Sequence, residues 1–213
     1  MRNSIFLLLL LLFSCDQKMK PKSEPKPNHA KTATPQRFYP KNEVQIQPWF
    51  TYYKSQDSTF KFENFKLEEN TPISYQKSTI FILNEKGFNE TYKPFLVFNK
   101  SKDKYIDFDS YHWFLEKDGS ASFEADQQIV LVDWKKKKAQ QIAFFGPSFW
   151  IEEAFWKDDS EVFLLGNSYE KVPFIIEFNL AKNWKKYYKY SDTLKFETSY
   201  TNERLRSKGI KTD

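Results

Sequence analysis

Cysteine occurs once in these 213 residues, histidine twice and glycine five times. Each scarcity removes a class of chemistry. A protein metal centre takes three or four ligands, and His112 has neither a second histidine beside it nor a free thiol, His29 and Cys15 lying far off in the chain. Few glycines mean no loop that cradles phosphate through its backbone amides, and no G-x-S-x-G nucleophile turn occurs. Gly146-Pro147 reads as a turn, because proline after glycine interrupts a strand. Long apolar runs are missing as well. The longest, Ile5–Phe13, has nine residues, against the roughly 20 needed to cross a bilayer as a helix.

What is present begins with that run. Arg2 supplies a positive start, Ile5–Phe13 an apolar centre, and Leu12-Phe13-Ser14-Cys15 an end with a small residue before the cysteine. The proportions are those of a secretory signal, residues 1–14. The ending resembles the lipobox of bacterial lipoproteins, although Phe13 stands where that pattern usually has a small or branched residue. The resemblance implies that Cys15 is acylated and becomes the first mature residue. Its sulfur is then a thioether, and no thiol remains for redox or metal chemistry. Two or more acyl chains anchor stably, at about 0.8 kcal/mol per buried CH₂. The expectation is a cell-envelope protein held to the lipid bilayer, with the outer membrane favoured over the inner.

Residues 16–48 read as a flexible linker. Six of the ten prolines fall there, among lysines and with few large apolar residues. Such composition does not bury enough surface to offset its ordering entropy. As polyproline II, at about 3.1 Å per residue, it reaches on the order of 100 Å. Arg2 and the seven cations of the linker, set against its three anions, account for the whole surplus of positive charge. Residues 49–213 hold 25 basic and 25 acidic side chains. A nucleic-acid binder carries a basic face. Neutrality of the folded part, together with export, argues against that partner.

The rest predicts one all-β domain over 49–200, with a polar, frayed tail from 201. Aromatic residues are 19% of the chain, and large rings suit half-buried strands. Short apolar segments alternate with turn signals: Ser78–Leu83, Tyr92–Asn99, Tyr105–Asp109, Tyr111–Leu115, Gln128–Trp134, Gln140–Phe145, Phe149–Trp156, Glu161–Leu165, Pro173–Phe178 and Lys186–Tyr190. Residues 60–70 read as a strand or a short amphipathic helix. The turn after Phe114-Leu115 (Glu116-Lys117-Asp118-Gly119-Ser120) matches the turn after Phe155-Trp156 (Lys157-Asp158-Asp159-Ser160). Each is followed by strands and a lysine-rich turn. These units resemble β-propeller blades, but the chain is too short to close a ring of about four or more. An antiparallel meander packed as a sandwich or open barrel is expected.

Candidate chemistry is sparse. His112, in Tyr111-His112-Trp113, has Asp107, Asp109 and Glu116 nearby and is a candidate general base. Asp107 and Asp109 share a strand face, with Cα atoms about 7 Å apart, and read as solvent-facing acids. Glu152 and Glu153 are adjacent and, on a regular strand, point to opposite faces. That strand would set Trp150, Glu152, Ala154 and Trp156 on one face and Ile151, Glu153 and Phe155 on the other. Lys135–Lys138 reads as a hairpin turn that discourages edge pairing, or as a contact to anionic polysaccharide or lipid. The aromatics stand out most, and Trp150, Trp156 and His112 are the candidate binding residues. No cofactor and no metal are expected. The leading expectation is a non-enzymatic module that contacts an envelope protein or glycan. Alternatives are a lipid-anchored hydrolase of cell-wall or surface glycan, using Asp107, Asp109, His112 or Glu152, and an immunity or inhibitor lipoprotein.

Overall fold

The structure, a computed structural model, describes Phe38 and residues 43–212. The signal, Cys15 and most of the expected linker lie outside the described residues. A helix α1 (Gln47–Gln56) comes first. Twelve strands follow: β1 (Phe65–Pro72), β2 (Gln76–Lys77), β3 (Val97–Phe98), β4 (Lys104–Asp107), β5 (Trp113–Leu115), β6 (Ala121–Phe123), β7 (Gln127–Asp133), β8 (Lys138–Phe145), β9 (Phe149–Trp156), β10 (Glu161–Ser168), β11 (Phe174–Asn179) and β12 (Trp184–Tyr190). Helix α2 (Tyr200–Ser207) is last.

The fold is an antiparallel all-β sandwich whose sheets do not close into a barrel. One five-stranded sheet runs β1-β12-β11-β10-β9, the other β2-β8-β7-β4-β3, and β5-β6 form a separate hairpin. The core between the sheets takes Ile106, Ile129 and Ile142 from one side and Ile151, Val162, Leu164 and Phe178 from the other. Gln127 pins the sheets together. Its Nε2 donates to the carbonyls of Phe108 (2.9 Å) and Ile151 (3.2 Å), and its Oε1 accepts from the Ile151 N–H (2.6 Å). One amide side chain thus satisfies both backbone groups of Ile151, on the open edge of β9, which would otherwise be buried without partners.

Only one of the two blade-like units forms a continuous sheet. Strands β9 to β12 make a four-strand meander, whereas β5-β6 stand apart and β7 pairs with β4. The shared turn chemistry is real. Asp118 Oδ1 accepts from the backbone N–H and hydroxyl of Ser120, at 3.0 and 2.6 Å. Asp158 Oδ1 does the same for Ser160, at 2.7 and 2.9 Å. The motif encodes a turn and not a blade. The lysine run also forms the turn expected of it, joining β7 to β8, with Lys137 in the left-handed region at φ 50°.

Four segments depart from the sequence reading. Ser78–Leu83 is not a strand. It crosses the outer face of the second sheet as a loop, with Ile82 and Leu83 packed on Tyr105, Val130 and Val132. Tyr92–Asn99 is mostly a 3-10 turn over Glu90–Phe95. Asn89 caps it by accepting from Thr91 N–H at 3.0 Å, and Pro94 has no N–H to give a ladder. The folded part also starts before residue 49. Phe38 is buried with its N–H on the Phe65 carbonyl, and Val44–Ile46 is a 3-10 turn with Ile46 fully buried. The expected polar tail holds α2, in which Arg204 and Leu205 are buried.

Candidate binding site

The site lies where β5-β6, the crossing segment 124–126, the start of β9 and the first turn of α2 meet. A β-bulge sets its floor. In the β9–β10 ladder Leu165 pairs with Glu153 and Gly166 pairs with Ile151, so Glu152 is the extra residue. A bulge shifts side-chain alternation by one. Ile151, Ala154 and Trp156 therefore all enter the core between the sheets, and Glu152 and Glu153 both turn toward the helices. Gly166 sits opposite the bulge because nothing larger fits. An added Cβ would lie 2.4 Å from the Trp150 carbonyl oxygen and 2.5 Å from the Phe174 ring.

The bulge buries Glu152 completely. Its carboxylate accepts four hydrogen bonds: from Trp49 Nε1 (2.8 Å), Tyr53 Oη (2.6 Å), Thr198 Oγ1 (2.9 Å) and Trp150 Nε1 (3.3 Å). Burial pushes its pKa up, and these donors pull against the shift. Tyr53, buried against that carboxylate, has its phenol pKa raised well above the usual value by burial and by the Glu152 charge. Glu153 is also raised, mainly by burial, and accepts from Tyr200 Oη at 3.0 Å. Glu152 thus ties α1 to the first sheet, and Glu153 ties α2 to it.

Asp107 and Asp109 are buried and do not face solvent, contrary to the sequence expectation. Asp107 closes a turn, accepting from the N–H groups of Asp109 (3.2 Å) and Ser110 (3.0 Å) and from the Ser110 hydroxyl (2.7 Å). Burial raises its pKa. Asp109 takes a two-pronged pair from Arg204, Nη2–Oδ1 at 2.7 Å and Nη1–Oδ2 at 3.0 Å, and a bond from Trp113 Nε1 at 2.8 Å. The Arg204 guanidinium also covers the Phe108 ring at 4.6 Å. Asp107, Asp109 and Glu152 are committed to bonds within the fold and do not line the clefts.

The open surface beside them is aromatic. A cleft of about 290 Å³ is lined by His112, Phe123, Phe149, Trp150 and the first turn of α2. A cleft of about 430 Å³ adjoins it across Glu124 and Ala125, lined by Tyr111, Trp113, Phe114 and Asp126. Tyr111, Phe114, Phe123 and Phe149 are 45, 42, 41 and 42% exposed. These rings are open to solvent beside the clefts. His112 Nδ1 donates to the Asp126 carbonyl at 3.3 Å, and burial lowers its pKa, so the ring is neutral at pH 7.

Of the three candidate binding residues, the structure brings Trp150 and His112 to one cleft. Trp156 is not with them. It is buried between the sheets, and its Nε1 donates to the Val97 carbonyl at 2.8 Å. The bulge is the reason, because it puts Trp156 on the opposite face from Trp150. Phe123, Phe149, Glu124 and Asp126 carry no local signal that separates them from other strand and turn residues. Only the hairpin and the crossing segment bring them together. Among the described residues no group of His, Cys, Asp and Glu side chains is placed to hold a metal ion, and no helix is long and apolar enough to cross a membrane. No protein-family model, no curated protein and no solved structure matches the chain.

Proposed function

We propose that this chain is a non-enzymatic binding module of the cell envelope, lipid-anchored through Cys15, which contacts an envelope protein or glycan at the aromatic end of its sandwich. The observation that carries the reading is the pair of adjoining clefts walled by exposed rings, with the buried carboxylates Asp107, Asp109 and Glu152 bonded inward beneath them. A glycan hydrolase works with two carboxyl groups flanking the scissile bond. Here Asp107, Asp109 and Glu152 are turned into the fold, so the carboxylates that would serve as hydrolase candidates do not flank a ligand in the clefts. The anchor half of the reading rests on the Met1–Cys15 pattern.

Two linked measurements test it. The wild-type protein takes up a palmitate analogue in growing cells and Cys15→Ser does not. Label retained by Cys15→Ser, or unlabelled wild-type protein in the cytosol, contradicts the anchor. Tethered wild-type protein co-purifies a discrete envelope component that is lost on Phe149→Ser. Turnover of peptidoglycan or polysaccharide that disappears in His112→Ala would overturn the binding reading in favour of a hydrolase.

A further inference from the structure

The two clefts belong to a longer groove. The 430 Å³ cleft also shares Tyr92 and Ser110 with a third, of about 140 Å³, that runs toward Phe81 and Phe88. Depressions joined end to end suit an extended chain better than a compact ligand.

The groove has a definite charge character. Among the described residues no lysine or arginine lines any of the three clefts, and the acidic side chains that do are Glu124 and Asp126. Among the described residues, neither carboxylate takes part in an ion pair or a side-chain hydrogen bond. This differs sharply from the acids beneath the groove, each of which is fully bonded. Basic side chains lie in a neighbouring cleft, lined by Lys77, Lys137 and Lys138 beside the lysine turn, which meets the third cleft at Ile80. Exposed rings next to unpaired carboxylates attract cations twice over, through the negative π face and through charge. An anionic polymer meets repulsion from both carboxylates and no cation in the lining.

We propose that this groove holds an extended peptide segment of a partner protein that carries lysine or arginine side chains. The inference rests on the binding-module reading and names its partner. Glu124 and Asp126 take the cationic head groups, and Tyr111, Phe114 and Phe123 cover the aliphatic stems, which lie along apolar surface while their charges stay solvated.

The test titrates the full-length protein with three probes: an octapeptide of alternating lysine and glycine, the same peptide with every lysine acetylated, and a neutral chitin hexasaccharide. Calorimetry gives the affinity, and the indole N–H resonance of Trp150 reports occupancy of the neighbouring cleft. The lysine peptide is expected to bind, to weaken as salt is raised, and to lose tenfold or more on acetylation. The double variant Glu124→Gln/Asp126→Asn is expected to lose a similar factor with its thermal midpoint unchanged. Equal binding of the acetylated peptide, an undiminished double variant, or no binding of the lysine peptide overturns the inference. If the hexasaccharide binds in the groove instead, the cationic partner is wrong and the binding module stands. If no probe binds and no envelope component depends on Phe149, both fall.

Discussion

Glu152 is the residue on which the helical side of the sandwich depends. It is fully buried, meets four donors, and has no cation among them. Its folded pKa lies above the ordinary glutamate value of about 4.5. Between those two values the folded state binds more protons than the unfolded chain. Stability attributable to this group therefore falls as pH rises through the window and levels off above it. His112, whose pKa is lowered by burial, acts in the other sense, and its contribution falls as pH drops from about 6.5 toward its folded value. Urea unfolding of wild type and Glu152→Gln over a pH series separates the Glu152 part. The wild-type free energy is expected to decline relative to the variant as pH rises above about 4.5, and parallel curves contradict the assignment. Glu152→Leu removes every acceptor and costs roughly 1–3 kcal/mol for each buried donor left unpaired.

At the scale of elements, the bulge in β9 and the docking of α2 build the site. Gly166→Ala drives a methyl into the Trp150 carbonyl and the Phe174 ring, and overpacking of this kind costs about 1–3 kcal/mol. A lowered urea midpoint and a shifted Trp150 indole resonance are expected, and an unchanged midpoint contradicts the close approach. Arg204→Met leaves the buried Asp109 carboxylate without its cation, at a cost of about 3–5 kcal/mol. Adding Asp109→Asn recovers part of that loss in a double-mutant cycle, and additive losses argue against the pairing. These elements also show what a sequence conveys. The eight residues of β9, Phe149–Trp156, are legible because apolar residues run between two turn signals. The facing of its side chains is not, because a single unpaired residue at Glu152 reverses the alternation beyond it. That is why Trp150 belongs to the cleft and Trp156 to the core. Helix α2 is hidden for a related reason. Thr201–Asp213 is polar in bulk, and beside Tyr200 at the helix start its buried residues are two adjacent ones, Arg204 and Leu205, whose partners lie about a hundred residues earlier. The cap at Asn89 and the proline at 94 are local signals, and the apolar pattern of Tyr92–Asn99 masks them.

Across the whole molecule, acids and bases are sorted by place. Buried acids fasten helices to sheets, Glu124 and Asp126 line an aromatic groove, and the lysine turn stands by a neighbouring cleft that meets the groove at Ile80. Residues 49–213 are balanced in formal charge, so their net charge favours neither an anionic nor a cationic partner. The end of the sandwich bearing Phe123 and Phe149 is the proposed contact with another envelope component. Photo-cross-linking in living cells tests that claim most directly, with a benzophenone side chain placed at Phe123, at Phe149, or at the exposed Lys136 of the distant lysine turn. One discrete adduct is expected, the same from positions 123 and 149 and missing from 136. No adduct at either groove position, or an identical set from all three, would contradict it.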